Sequence, residues 1–188
     1  MLSIELRKLT AELLEDYLHF FDTYEDCYCT CYSSDNHEGK DFSKKETRRN
    51  HAIKYVGNGM IQGYLAYSDN QVIGWCNAND RKDCLKCEGW KVMLSSVNIA
   101  ESDSKIKIKS LFCFTIAPEF RRKGISAQLL EQVCVDAAKD GFDCVEAYPN
   151  KNFIDTFHDH MGPVDLYIKH GFAAHGEAGD KAVMRKYL

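Results

Sequence analysis

Between Ile106 and Tyr148 the chain reads strand, helix, strand, and this order constrains the fold more than any other feature of the sequence. Ile106–Ile116 is rich in Ile, Leu and Phe and has strand character. In Arg122–Asp140 the apolar residues Ile125, Leu129, Leu130, Val133, Cys134 and Ala137 recur at helical spacing, and Gly141 follows as a stop. Cys144–Tyr148 is a short second strand. A unit of this kind returns its second strand parallel to the first by a right-handed crossover. A parallel pair is therefore expected inside the sheet that the remaining strands build.

Those strands and helices are legible on either side. Ser3–Leu6 alternates polar and apolar residues as a short edge strand does. Thr10 is placed to cap a helix that runs on through Tyr17, Leu18 and Phe21. A second helix covers Lys44–Val56 and stops at Gly57. Ile61–Tyr67 and Gln71–Ala78 flank Ser68-Asp69-Asn70 and read as a hairpin. Val164–His170 is a short helix closed by Gly171, and Lys181–Leu188 a final strand. Asn79–Ser104, which holds Trp90, shows no clear pattern. The order is β-α-α-β-β-β-α-β-α-β. With 188 residues and no internal repeat, a single domain spanning 1–188 is expected.

A net charge of −4 weighs against a nucleic-acid partner, which favours a basic face. Nine cysteines is an odd number, and no basic stretch followed by an apolar one opens the sequence. No apolar run is long enough to span a bilayer. Reduced thiols in a cytoplasmic protein with no membrane partner are the expectation.

One helix start runs against the electrostatic rule. Arg121, Arg122 and Lys123 stand at the N-terminal end of the Arg122–Asp140 helix, where the dipole is already positive. Neither Glu119 nor Phe120 is a good cap. Unpaired amides, three cations and Gly124, which admits close approach to the backbone, make an anion receptor. The competing reading is a surface helix with solvated arginines. Neither a G-x-x-x-x-G-K-S/T loop nor a G-x-G-x-x-G run accompanies it, which disfavours nucleoside triphosphates and dinucleotides.

Leu111–Ser126, with Ile116-Ala117-Pro118 followed by Arg121-x-x-Gly124-x-Ser126, resembles the acetyl-CoA motif of the GNAT family of N-acetyltransferases. Ser126 departs from the Gly or Ala usual at the last position. Val72-Ile73-Gly74-Trp75-Cys76, Val145–Pro149, Leu166–Phe172 and Val183–Lys186 are similar to further family segments in the same order. The resemblance implies an α/β fold, the GNAT acyl-CoA N-acyltransferase fold. This is a mixed, mostly antiparallel sheet with a splayed central parallel strand pair, flanked by helices. It also implies acetyl transfer from acetyl-CoA to a primary amine of a small molecule or peptide, by direct attack in a ternary complex and without a metal. The pantetheine arm would pair with the edge of Phe114, Thr115 and Ile116, one of whose N–H groups would polarise the thioester carbonyl. The pyrophosphate would lie on the amides of Arg122, Lys123, Gly124, Ile125 and Ser126, with Arg121 as the motif's first residue.

Tyr167 matches the family's general acid for the departing thiolate, its alternative being a packed ring with a structural hydrogen bond. Glu146 is the best-placed carboxylate for the base; a structural acceptor role and a water chain are its rivals. Other features are discounted. Cys27-x-Cys29-x-Cys31 and Cys84-x-x-Cys87 are read as plain thiols in preference to a zinc site. His158-Asp159-His160 is read as a polar loop. Tyr24, Tyr28 and Tyr32 remain candidates for acceptor contact. A non-catalytic acyl-CoA-binding sensor and a thiol-ligated zinc protein are the rival functions. The acceptor is not legible, and oligomeric state is open, with a homodimer as one option.

Overall fold

The computed structural model describes residues 3–30, 41–87, 89, 105–155 and 159–188. Strands β1 (Glu5–Lys8), β2 (Gly63–Ser68), β3 (Gln71–Asp80), β4 (Ile108–Ile116), β5 (Cys144–Ala147), β6 (Ala173–Ala178) and β7 (Lys181–Tyr187) form one sheet. Its order is β1-β2-β3-β4-β5-β7-β6. Only the β4–β5 pair is parallel, as the strand–helix–strand reading requires. The helices are α1 (Leu14–Tyr24), α2 (Lys45–Gly57), α3 (Arg81–Cys84), α4 (Ile125–Lys139) and α5 (Val164–Lys169). The architecture is the mixed, helix-flanked sheet expected from the sequence. No helix of the described residues is long and apolar enough to cross a membrane.

The sheet separates two apolar clusters. On one face α1 presents Tyr17, Leu18 and Phe21, spaced i, i+1 and i+4, against Trp75 of β3. Tyr17 meets the indole edge-on at 5.0 Å between centroids. On the other face α4 presents Ile125, Leu129, Leu130 and Val133 to Ala66, Leu111 and Val145. Each such side chain, fully buried, stabilises the fold by roughly 1.5–3 kcal/mol.

One register shift governs the site. In the β3–β4 ladder Asn77 faces Cys113 and Ala78 faces Leu111, so Phe112 is an extra residue in β4. Phe112 and Cys113, though consecutive, both pack on the α1 face, while Leu111 and Phe114 pack on the α4 face.

Several local expectations are corrected. Thr10 makes no side-chain cap; one turn of 3-10 helix, Ala11–Leu13, leads into α1 instead. Gly57 is the last residue of α2, and the left-handed turn after it falls at Gly59, at φ +74°. The hairpin turn is Asp69-Asn70, both at positive φ, as a tight two-residue turn of the right twist demands. β6 is a strand the sequence pattern does not show. Cys31, Tyr32, Trp90 and His158 lie outside the described residues. Eight cysteines are described, none in a disulfide, and all but Cys27 are buried.

Candidate active site

β4 and β5 pair only from Ile108–Cys144 to Leu111–Ala147. β4 then continues to Ile116 with β3 still beside it, whereas β5 ends at Ala147. The strands have parted, and the far edge of β4 opens on a gap. Ala117 N–H donates to the Ile73 carbonyl at 3.0 Å, which makes Gly74–Ile116 a non-hydrogen-bonded pair. The N–H and C=O of Ile116 therefore point away from β3 into the gap, and those of Phe114 do likewise.

The edge is not open along its whole length, contrary to expectation. Phe114 N–H donates to the His160 carbonyl at 2.7 Å. The Ile116 carbonyl accepts from Arg121 Nε at 3.1 Å. The Ile116 N–H has no hydrogen-bond partner among the described residues.

Below this edge lies the segment that the sequence suggests as an anion receptor. One turn of 3-10 helix, Pro118–Phe120, precedes it, and α4 begins at Ile125. Arg121, Arg122 and Lys123 thus stand before the helix and not in its first turn, a correction to the sequence reading. Arg122 is at φ +62° and Gly124, the N-cap, at φ +79°. Left-handed residues in this pattern gather successive N–H groups into an anion-binding concavity. The intrahelical ladder starts with Gln128 N–H to Gly124 C=O at 3.2 Å, which leaves the amides of Ile125, Ser126 and Ala127 pointing outward. No side chain caps them. A Cβ on Gly124 would meet nothing within 4 Å, so its backbone conformation, not crowding, calls for glycine.

Edge and receptor share one wall of a cavity of about 240 Å³. Of the residues expected to bind the cofactor, Phe114, Thr115, Ile116, Arg121, Arg122, Gly124, Ile125 and Ser126 line it. Lys123 does not; its Nζ lies 4.8 Å from the centroid of the Phe120 ring. The opposite wall is Asp159, His160, Gly162, Pro163 and Leu166, which sequence reasoning missed. Reading His158–His160 as a polar loop hid the fact that Asp159 and His160 close the gap against β4.

Tyr167 is fully buried and packs edge-on against Phe172. Its hydroxyl donates to the Met161 carbonyl at 2.6 Å, behind the segment whose front faces the cavity. Burial pushes its pKa well up, so the phenol keeps its proton.

Glu146 faces the other side of the sheet, away from the cavity wall. Arg81 Nη1 donates to its Oε1 at 3.1 Å, Arg185 Nε to its Oε2 at 3.0 Å, and the Tyr148 hydroxyl to Oε1 at 2.7 Å. Arg185 Nη2 adds a further bond to Oε2. With the phenol proton on Glu146, Ser110 Oγ donates to the Tyr148 oxygen at 2.9 Å. A carboxylate held by two guanidiniums has the setting of a structural acceptor, the alternative weighed against a base role for Glu146.

Two of the tyrosines considered for acceptor contact are also engaged. Tyr28 is buried and donates to Asp22, while the Tyr24 hydroxyl donates to Glu119 at 2.9 Å. Among the described residues no three His, Cys, Asp or Glu side chains are grouped to hold a metal.

The chain matches the family described as "Acetyltransferase (GNAT) domain" over residues 61–174. Curated protein sequences yield no match. Among solved structures, the PaiA N-acetyltransferase of Thermoplasma acidophilum in complex with coenzyme A superposes with a TM-score of 0.56 at 21% identity, covering 99% of each chain. An agmatine N-acetyltransferase variant superposes with a TM-score of 0.58 at 12% identity, covering 98% of this chain and 99% of that one. A GNAT-family acetyltransferase of Streptococcus pneumoniae gives 0.54 at 15%, covering 99% of each. At such identities these likenesses speak for the fold, and the family match extends over most of the sheet and both helices that frame the cavity. The chain belongs to the GNAT acetyltransferase family.

Proposed function

We propose that the protein transfers an acetyl group from acetyl-CoA to a primary amine of a small molecule or peptide, by direct attack of the amine on the thioester in a ternary complex. One observation carries this reading: the unpaired N–H of Ile116 and the outward amides of Ile125 and Ser126 line one cavity. That arrangement suits a ligand with an amide-bearing arm at one end and a pyrophosphate at the other. The amides at the start of α4, with Arg121 and Arg122, hold the phosphates, and the Ile116 N–H pairs with the arm. Holding both reactants in one cavity supplies the first part of the rate.

Tyr167 favours two different readings. As a phenol kept protonated by burial, it has a proton to give the departing thiolate once its bond to Met161 is exchanged. As a hydroxyl already donated to Met161, it suits a non-catalytic acyl-CoA-binding module that needs no acid.

A melting shift with acetyl-CoA, followed by CoA release across a panel of amines, tests the proposal. At a hundredfold excess over Kd the ligand adds about 2.7 kcal/mol, or about 5–11 °C in a chain of this size. No shift refutes the cofactor site. A shift with no CoA release from any amine favours the binding module. Tyr167→Phe tests the acid: loss of about 10²-fold or more in turnover at unchanged acetyl-CoA affinity supports that role, and unchanged turnover removes it.

A further inference from the structure

Acyl transfer to an alkylammonium releases a proton, and the groups that face the cavity differ sharply in their ability to take it. Arg121 and Arg122 carry only donors. Asp159 is committed on both oxygens: Oδ1 accepts from Met161 N–H at 3.0 Å and Oδ2 from Asn150 Nδ2 at 2.7 Å. Asn150 is itself fixed by Lys181. Behind the wall, Tyr167 donates to Met161; across the sheet, Glu146 is held by Arg81 and Arg185. His160 remains. It lines the cavity, is only partly buried, and its ring nitrogens have no hydrogen-bond partner among the described residues. Imidazole is the side chain best suited to exchange a proton near neutral pH.

Its place along the strand agrees. An arm rising from the amides at the start of α4 meets β4 first at Ile116 and then runs toward Phe114, about 7 Å further along at strand rise. The reactive end of a thioester paired at Ile116 therefore lies toward Phe114. The residue fixed there is His160, whose carbonyl accepts the Phe114 N–H at 2.7 Å.

We propose, on the acyl-transfer reading above, that His160 is the catalytic base that takes the proton from the acceptor amine. The amine nitrogen forms the new C–N bond to the acyl carbon, the C–S bond breaks, and its electron pair leaves with the CoA sulfur. Of the two protons that an alkylammonium nitrogen loses on becoming an amide, one passes to the imidazole and on to solvent through the partly exposed ring, and the other ends on the departing CoA sulfur, so that one is released overall.

The test measures CoA release by the full-length protein with acetyl-CoA and the best amine of the panel, as a function of pH, for the parent, His160→Gln and His160→Ala. His160→Gln keeps the backbone carbonyl on Phe114, and its melting shift with acetyl-CoA reports an intact site. The expected result is a fall in kcat of about 10²-fold or more for His160→Gln, with KM for acetyl-CoA nearly unchanged and the acid limb of the kcat profile lost. Added imidazole restores turnover to His160→Ala, which a purely structural role would not allow. A parent that turns over and a His160→Gln variant that matches it in kcat and pH profile overturn the assignment to His160 alone. A parent that binds acetyl-CoA yet releases no CoA with any amine overturns the transfer reading and this assignment with it.

Discussion

Glu146→Gln separates a structural carboxylate from a catalytic one. The change keeps the shape of the side chain and removes its charge. In the fold, Glu146 is fully buried, and the Arg81 and Arg185 side chains that grip it are 6% and 2% exposed. After the change one amide oxygen faces two guanidiniums, and the amide NH2 presents donors to donors. Removing one partner of a buried ion pair costs about 3–5 kcal/mol, because the charge left behind stays desolvated. The total stability of such domains is about 5–15 kcal/mol. At about 2–4 °C per kcal/mol, the melting temperature falls by about 6–20 °C. Thermal unfolding followed by circular dichroism reads the loss. CoA release, measured well below both transitions, shows whether chemistry survives in the folded fraction, and most of it is expected to. If Glu146→Gln melts with the parent while turnover collapses, Glu146 acts on substrate and the structural argument fails. If neither quantity changes, the network contributes nothing and the burial argument fails.

Four further outcomes follow from packing and burial. A Cβ at Gly63 would lie 2.1 Å from the Cys76 carbonyl oxygen and 2.4 Å from the Trp75 ring, so Gly63→Ala lowers stability by about 3 kcal/mol in denaturant unfolding. Gly57→Ala, with nothing within 4 Å, raises it by about 0.5–1 kcal/mol in the same measurement. Arg122→Gly relieves a left-handed residue at φ +62° and raises stability by about 1 kcal/mol, while the lost cation raises KM for acetyl-CoA. Burial holds the Lys109 pKa down to about 8 from 10.5. Between these values the unfolded chain binds more protons than the folded one, so deprotonation favours folding as pH rises. The burial handicap is whole below pH 8 and gone above 10.5. Lys109→Met therefore melts higher than the parent at neutral pH, and pH-dependent unfolding shows the gap closing toward pH 10.5.

What was legible in the sequence is what neighbours along the chain decide. The crossover unit and the hairpin around Ser68-Asp69-Asn70 are local patterns, and the fold places each where those patterns point; the residues from Phe114 to Ser126 read for a cofactor, Lys123 excepted, line one cavity. The opposite wall is not local: Asp159 and His160 reach β4 across more than forty residues of chain, and no periodicity marks them. Glu146 reads as a strand residue beside the gap, yet its meaning depends on Arg81 and Arg185, 65 and 39 residues away. β6 escapes notice because Ala173-Ala174-His175-Gly176-Glu177-Ala178 carries little strand propensity and an almost wholly exposed pattern; its pairing with β7 makes it a strand. The helix after β4 starts later than the sequence suggests because Arg and Lys suit helices well, whereas Arg122 and Gly124 adopt left-handed conformations.

The extra residue at Phe112 sets the phase of the strand that carries the site. Upstream of it, odd-numbered Leu111 belongs to the α4 side; downstream, even-numbered Phe114 and Ile116 do. Without that half-period slip, strict alternation from Leu111 would turn Cys113 and Thr115 toward α4 and Phe114 and Ile116 toward the α1 face. A run as uniformly apolar as Leu111-Phe112-Cys113-Phe114 conceals its phase from any count of alternating residues. Removing one residue at this point would exchange the two faces of the strand beyond it, leaving the uncapped amides at the start of α4 intact below a wall built from the wrong side chains.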